Sequence, residues 1–140
     1  MRVKELLKAV RPLRNELELL RQQERLTRSP KAISYDGIKV QTSQQDQMFK
    51  TVEALQRLSR LIQKKEEELA MKQLEAMTMI YSLNNSEYRK LLILYYIDGN
   101  KQKKWNEVAD LMGYSESRVK HLHGWALQEL EKKDSTQKHF

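Results

Sequence analysis

A run of hydrogen-bonding side chains occupies residues 115–121, SESRVKH. Arginine can donate two hydrogen bonds to the O6 and N7 atoms of a guanine, and lysine and histidine can reach bases or phosphates. Serine hydroxyls and the free amides of a helix N-terminus bond phosphate oxygens. The residues that we expect to bind a nucleic acid are Ser115, Ser117, Arg118, Lys120 and His121, together with Lys104 from the preceding basic loop.

Glu116 is the acidic side chain of this run. Its carboxylate could accept a hydrogen bond from a cytosine amino group. We favour the alternative that it stabilises the N-terminus of the helix through the helix dipole. Glu116 is included among the candidate DNA-binding residues on either interpretation.

The surrounding sequence, WNEVADLMGYSESRVKHLHGWALQEL (residues 105–130), predicts two helices that cross at a tight turn. If Trp105 begins the first helix, its fifth position is the small Ala109 and its ninth is Gly113, which supplies the positive φ that the turn needs. Ser115 then falls at the N-cap of the second helix. The residues expected to be buried are Val108, Met112, Tyr114, Val119 and Leu122. This spacing is that of a helix-turn-helix, whose second helix enters the major groove of DNA. A helical hairpin that binds nothing is the alternative.

Other notable residues in this region have structural interpretations. His121 and His123 are two residues apart on a helix, point to nearly opposite sides and cannot chelate one ion. His123 is expected to be a partly buried packing residue. Gly124 costs a helix roughly 1 kcal/mol relative to alanine, which indicates close approach by another helix or by the DNA backbone. The aromatic side chains expected in the core, not in base stacking, are Tyr95, Tyr96 and Trp105.

Two long helices are predicted before this region, over residues 2–28 and 47–83. The apolar stripe of the first consists of Leu6, Val10, Leu13, Leu17 and Leu20, and Pro12 either starts or kinks this helix. The second has a stripe of Leu55, Leu58, Ile62, Leu69, Ala76, Met79 and Leu83. We expect the two to pair as an antiparallel hairpin or coiled coil, within one chain or between two.

The predicted fold is all-α, with a long N-terminal helical hairpin (residues 1–83) joined to a helix-turn-helix domain (84–133) and a flexible tail (134–140). In the segment 29–46, apolar residues flank Asp36-Gly37, a pair that favours a two-residue hairpin turn. A small β-hairpin or ordered loop and a flexible linker both remain open for this segment. A capping residue among Asn84, Asn85 and Ser86 is expected to start a helix that ends near Ile97.

Composition narrows the class of protein. The chain has 140 residues, no cysteine and a net charge of +7, and residues 1–50 alone carry eleven basic and six acidic side chains. A basic surplus favours a polyanionic partner. The longest apolar run, residues 91–97, is too short to cross a bilayer, and no signal-peptide core is evident. We therefore expect a soluble, intracellular protein without a membrane partner. The isolated glycines and the absence of a His-Glu-x-x-His run argue against an enzyme, and we expect no cofactor or metal.

The stretch LNNSEYRKLLILYYIDG (residues 83–99), followed by residues 105–130, resembles region 4 of sigma-70-type factors. It departs from that pattern by a longer, lysine-rich loop, residues 100–104. With SYDGIKVQTS between two long helices, the whole chain resembles the small sigma-region-4-like transcription regulators of phages and prophages of Gram-positive bacteria, of the ArpU/RinA type.

That resemblance implies activation of late phage genes through promoter binding and contact with the host RNA polymerase, in the bacterial cytoplasm and without enzymatic activity. It assigns DNA contact to Ser115, Ser117, Arg118, Lys120 and His121. Nothing comparable to sigma regions 2 and 3 is present in the sequence.

Our primary hypothesis is a sequence-specific regulator that binds double-stranded DNA, with the long helices serving as a homodimer interface or a docking surface. One alternative is a small DNA-packaging subunit of the terminase type, which would form a large ring. Another is a module that binds RNA polymerase or a second regulator without reading DNA.

Overall fold

The computed structural model describes residues 2–28 and 41–138. The described backbone is helical, without a strand in those two ranges. Its elements are α1 (Arg2–Arg28), α2 (Gln41–Tyr81), α3 (Ser86–Leu92), a π-helical turn (Ile93–Ile97), α4 (Trp105–Met112) and α5 (Glu116–Lys138). The prediction of an all-α protein is confirmed for these residues.

The bounds of the long helices agree with the sequence pattern except at three ends. α1 covers the predicted range, with Pro12 inside it. α2 begins at Gln41 instead of residue 47 and ends at Tyr81 instead of residue 83. The earlier start is reasonable, because residues 41–46 contain no glycine or proline and include glutamines, which are good helix formers. α5 continues to Lys138, into the segment predicted as a tail. Residues 29–40 of the predicted loop or hairpin lie outside the described residues.

The chain divides into two compact units, Met1–Arg14 with Leu69–Phe140, and Asn15–Glu68. Among the described residues of the smaller unit, the buried hydrophobic side chains are Leu17 and Ile62. Lys65 lies 2.8 Å from the Glu16 carboxylate and 3.5 Å from that of Glu68, which raises the pKa of Lys65. Because these groups are largely exposed, such pairs contribute little stability.

The larger unit has an apolar core to which its first residues contribute. This core is made of Val3, Leu7, Val10, Ala76, Ile80, Leu83, Leu92, Tyr96, Ile97, Ala126, Leu127 and Leu130. It therefore joins side chains of α1, the end of α2, the α3 region and the second half of α5. Because α5 also carries the candidate DNA-binding residues, this core sets its position in the unit.

The end of the π-helical turn is closed by arginines of α1. The N-cap of α3 is Asn85, one of the three residues predicted as caps, and its side chain accepts hydrogen bonds from the amides of Glu87 and Tyr88. At the other end, Arg11 is buried and donates to the carbonyls of Tyr95, Asp98 and Gly99 at 3.1, 2.7 and 3.3 Å. Arg14 donates to the carbonyls of Ile97 and Gly99. Backbone acceptors that a helix end leaves unpaired are thus satisfied by cations.

The described helices include none that combines the length and the apolarity needed to cross a membrane.

Candidate nucleic-acid interface

A glycine turn joins α4 to α5. Gly113 has φ +75 and ψ 29, a left-handed conformation. The amide of Tyr114 donates to the carbonyl of Ala109 at 3.0 Å, and the amide of Gly113 reaches the carbonyls of Ala109 and Asp110 at 2.8 and 3.3 Å. This is the double hydrogen-bond pattern of a Schellman motif, in which glycine avoids the steric strain of a positive φ. The predicted role of Gly113 is confirmed.

The two helices pack on a small core of their own. Val108, Ala109, Val119 and Leu122 are buried in it together with Leu91 of α3. The other two positions expected to be buried, Met112 and Tyr114, pack on its edge. Leu91 was not among the residues predicted for this core, and through it α3 supports both short helices.

Ser115 caps the start of α5. Its Oγ accepts a hydrogen bond from the amide of Arg118 at 3.2 Å, so the hydroxyl already satisfies one free amide of the first turn. Glu116 is exposed and lies in that first turn, where a carboxylate is favoured by the helix dipole. This position fits the interpretation that we favoured for Glu116.

The next turn of α5 carries the polar candidates on its surface. The side chains exposed there are Ser117, Arg118, Lys120 and His121. The Arg118 guanidinium lies 4.8 Å from the centre of the Tyr114 ring, and His121 Nδ1 donates to the Ser117 carbonyl at 2.8 Å. Four polar side chains are thus brought together at one exposed end of a helix that the turn holds in place.

Tyr114 is itself anchored to α3. Its hydroxyl donates a hydrogen bond to the Glu87 carboxylate, and this bond raises the pKa of Tyr114. Because Arg118 lies over the same ring, the orientation of Tyr114 influences where the guanidinium rests. This link between Glu87 and Arg118 was not among the sequence predictions.

His123 lies within an aromatic cluster and not on the polar surface. Its Nε2 is hydrogen-bonded to the Tyr96 hydroxyl at 2.6 Å, and its ring packs edge-on to Tyr95 and Trp105. Tyr95 and Trp105 stack at 4.2 Å. Burial and, to a smaller extent, the charges of Lys4 and Lys8 together lower the pKa of His123 to about 4; burial raises the pKa of Tyr96 to about 12. His123 is therefore a neutral packing residue at pH 7, as predicted.

The basic loop before α4 is only partly neutralised. Lys103 Nζ forms an ion pair with the Asp98 carboxylate at 2.8 Å, which lowers the pKa of Asp98. Lys104 is exposed at the N-cap of α4, and its side chain makes no capping hydrogen bond. Its charge is therefore directed to solvent beside the start of a helix.

Gly124 does not touch another part of the described chain. A Cβ built at this position meets no atom within 4 Å. The expectation that a helix of this chain approaches Gly124 closely is therefore wrong, and approach by a DNA backbone stays a prediction.

Trp125, the next residue, is half-exposed and its ring lies 5.9 Å from that of His121. Within the described residues, no group of acidic, histidine or cysteine side chains could hold a metal ion.

Three basic residues of α1 near this region were not predicted from the sequence. Arg11 bonds to the carbonyl of Tyr95, and the charges of Lys4 and Lys8 lower the pKa of His123. Their spacing of four and three residues was a signal that they share one face of a helix.

One comparison with known proteins identifies a family. A family described as "Protein of unknown function (DUF1492)" matches residues 26–131 of the chain. No curated protein matches the chain, and neither does any solved structure. The match covers most of the sequence, including α2 to α4 and all but the last turns of α5, and the chain therefore belongs to the DUF1492 family.

Proposed function

We propose that this chain is a sequence-specific transcription regulator that binds double-stranded DNA through α4, the Gly113 turn and α5, acting as a helix-turn-helix. In this proposal the first two turns of α5 enter the major groove. Arg118 reads a base edge, most simply a guanine, and Lys120, His121 and Ser117 contact bases or phosphates. Lys104 and the uncapped start of α4 bind the phosphate backbone.

One observation carries the proposal: the exposed polar run of α5 begins directly after a rigid turn. The turn is fixed by the hydrogen bonds of Gly113 and Tyr114, and the residues between the helices are buried as the helix-turn-helix spacing requires. Polar residues that served only to solvate a helix would not need to be held at such a turn. Here they are presented at the helix end that meets base edges in known complexes of this type.

The finer features of the proposal follow the resemblance to sigma region 4. α3 and the α4–α5 pair take the place of that region, and the long helices α1 and α2 form the antiparallel hairpin that supports a homodimer or contacts the host RNA polymerase. The regulated genes are late genes of a phage or prophage, and the effect is activation. The net charge of +7 favours DNA, a polyanion, as the partner.

The test is a salt series of binding to promoter DNA from beside the chain's own gene, against scrambled duplex. We expect a preference for the promoter that persists as salt rises. Arg118→Ala should cost about 1–3 kcal/mol and relax specificity at one base pair. Lys64→Ala, an exposed lysine of the smaller unit, serves as the charge-matched control. Promoter affinity that is unchanged in both Arg118→Ala and Lys120→Ala would refute the proposal.

A protein-binding module without DNA readout is the second candidate, and a stripe on α2 favours it. Met71, Leu74, Thr78 and Tyr81 follow steps of three and four residues, and all four are exposed, whereas such a stripe is usually covered. Retention of the chain by purified RNA polymerase after nuclease treatment, with equal binding to promoter and scrambled DNA, would favour this candidate. Light scattering that shows a large ring would instead favour a DNA-packaging subunit.

A further inference from the structure

The first half of α1 carries a basic stripe whose orientation is fixed by the core. Val3, Leu7 and Val10 are fully buried, so the rotation of this part of the helix about its axis is set. Lys4, Lys8 and Arg11 are spaced by four and three residues and share a neighbouring face. Lys4 is half-buried and Lys8 is exposed.

Two polar anchors fix the direction in which this stripe runs. Near the start of α1, the Arg2 guanidinium lies 2.7 Å from the Asp134 carboxylate on α5. About two and a half turns later, Arg11 is bonded to the carbonyls of Tyr95, Asp98 and Gly99. Lys4 and Lys8 lie between these anchors along α1, near enough to His123 of α5 for their charges to lower its pKa.

The position of His123 connects the stripe to the candidate interface. Lys120 precedes His123 by three residues, so it lies on the same side of α5, about 4.5 Å nearer to its N-terminus. Lys104 directly precedes Trp105, whose ring centre is 5.0 Å from that of His123. The charges of Lys4 and Lys8 act on His123, and the exposed Lys104 and Lys120 belong to the elements that carry Trp105 and His123.

The four lysines differ from Lys103 in their ion pairing. In the described parts of the chain none of them forms an ion pair with a carboxylate, whereas the neighbouring Lys103 does. Like charges on one surface repel one another in the free protein. A polyanion that displaces their counterions would relieve this repulsion, and exposed lysines act as point charges for phosphate.

We propose that Lys4 and Lys8 bind the phosphate backbone of DNA, so that the interface extends from the start of α5 across to α1. This inference rests on the proposed DNA-binding function and deepens it, since it assigns a role to part of the N-terminal basic surplus. The two lysines supply affinity and register, and base recognition stays with α5.

The test compares two double variants of the full chain in the same salt series. Each phosphate contact contributes about 0.9 to the slope of log K against log salt concentration. The double variant Lys4→Gln with Lys8→Gln should therefore lower the magnitude of that slope by about 1.8. It should also weaken binding to the promoter and to the scrambled duplex by equal factors. Lys50→Gln with Lys64→Gln removes two exposed lysines of the smaller unit and should leave the slope unchanged.

Folding does not confound this test. Removing Lys4 and Lys8 takes away like charges, so the melting temperature of the double variant should stay the same or rise. If it falls, the single variant Lys8→Gln, at an exposed position, carries the test with an expected change in slope of about 0.9.

Three results would overturn the inference, and they are distinguishable. An unchanged slope in the Lys4–Lys8 variant, while Arg118→Ala still loses promoter preference, refutes the role of α1 and leaves the proposed function standing. Weakening of promoter binding alone assigns these lysines to base recognition and refutes a phosphate role. A wild-type chain that binds neither duplex refutes the inference together with the proposed function.

Discussion

Replacing Gly113 by alanine tests the reasoning about the turn between α4 and α5. A side chain in the left-handed region costs about 1–2 kcal/mol, and Gly113 has φ +75. Alanine also restricts the unfolded chain, which returns about 0.4–1 kcal/mol. Within the described chain, no atom beyond the adjacent residues lies within 4 Å of the added Cβ, so steric overlap does not contribute. The net expectation is a loss of about 0–1.6 kcal/mol in the free energy of unfolding, centred near 0.8 kcal/mol.

Gly124 provides a matched control for the same chemical change. It lies inside α5, and an added Cβ there also meets no atom within 4 Å. Because its backbone is helical, alanine should increase the free energy of unfolding by about 1 kcal/mol. Two substitutions that add one methyl group in open space should therefore act with opposite sign, and the difference between them isolates the backbone conformation.

The assay is urea unfolding followed by tryptophan fluorescence. Both tryptophans, Trp105 and Trp125, lie in the larger compact unit together with the two glycines, so the signal reports the unit that is altered. The midpoints of the two variants should lie on opposite sides of that of the wild type, with similar slopes. Midpoints that shift in the same direction would refute the assignment of Gly113 as a required left-handed residue.

Three further predictions concern groups outside the turn. Arg11→Met should lower the free energy of unfolding by about 2–3 kcal/mol in urea, because three carbonyls lose a charged donor, whereas Arg25→Met, on the exposed side of α1, should change it by less than about 0.5 kcal/mol. The pKa of His123 is about 4 in the fold and 6.5 in the reference state, so the unfolded chain binds more protons; stability is present above pH 6.5 and is lost as pH falls towards 4. After allowance for solvent screening, the free energy of unfolding of the wild type should fall by about 1–2 kcal/mol more over this pH range than that of His123→Gln. Tyr114→Phe removes the hydrogen bond to Glu87 and should cost about 1 kcal/mol in the same urea assay.

Each of these predictions has a result that would contradict it. Equal destabilisation by the two arginine variants would show that the carbonyl contacts of Arg11 contribute nothing specific. Parallel pH profiles of wild type and His123→Gln would place the imidazole in water and not in the aromatic cluster. A Tyr114→Phe variant that is as stable as the wild type would mean that the hydroxyl is equally well bonded to water.

The helices and the turn could be predicted because their signals are local. A period of three and four residues marked the stripes of α1 and α2, and the glycine and serine at residues 113 and 115 marked a helix end and a cap. The same reasoning located the exposed polar run of α5. The start of α2 was placed six residues late because a polar, glycine-free segment continues a helix without adding to its apolar stripe.

The contacts that join distant parts of the chain could not be predicted in the same way. Arg11 bonds to carbonyls of residues that are more than 80 positions away in the sequence. Lys4 and Lys8 are also far in sequence from His123, whose pKa they lower. A sequence pattern gives the face of a helix on which a residue lies but not the element that this face meets. The domain boundary predicted at residue 83 rested on the local change in composition, whereas the core of the larger unit draws residues from both sides of it.

The composition of that larger unit has a consequence for synthesis on the ribosome. Val3, Leu7 and Val10 find their partners partly among residues 126–130 of α5, which are translated more than a hundred residues later. At 5–20 residues per second, these apolar side chains wait roughly 6–24 s for that helix. During this interval the apolar stripe of α1 lacks its partners from α5, so the larger unit completes its core late and its first helix is a candidate for chaperone binding while translation proceeds.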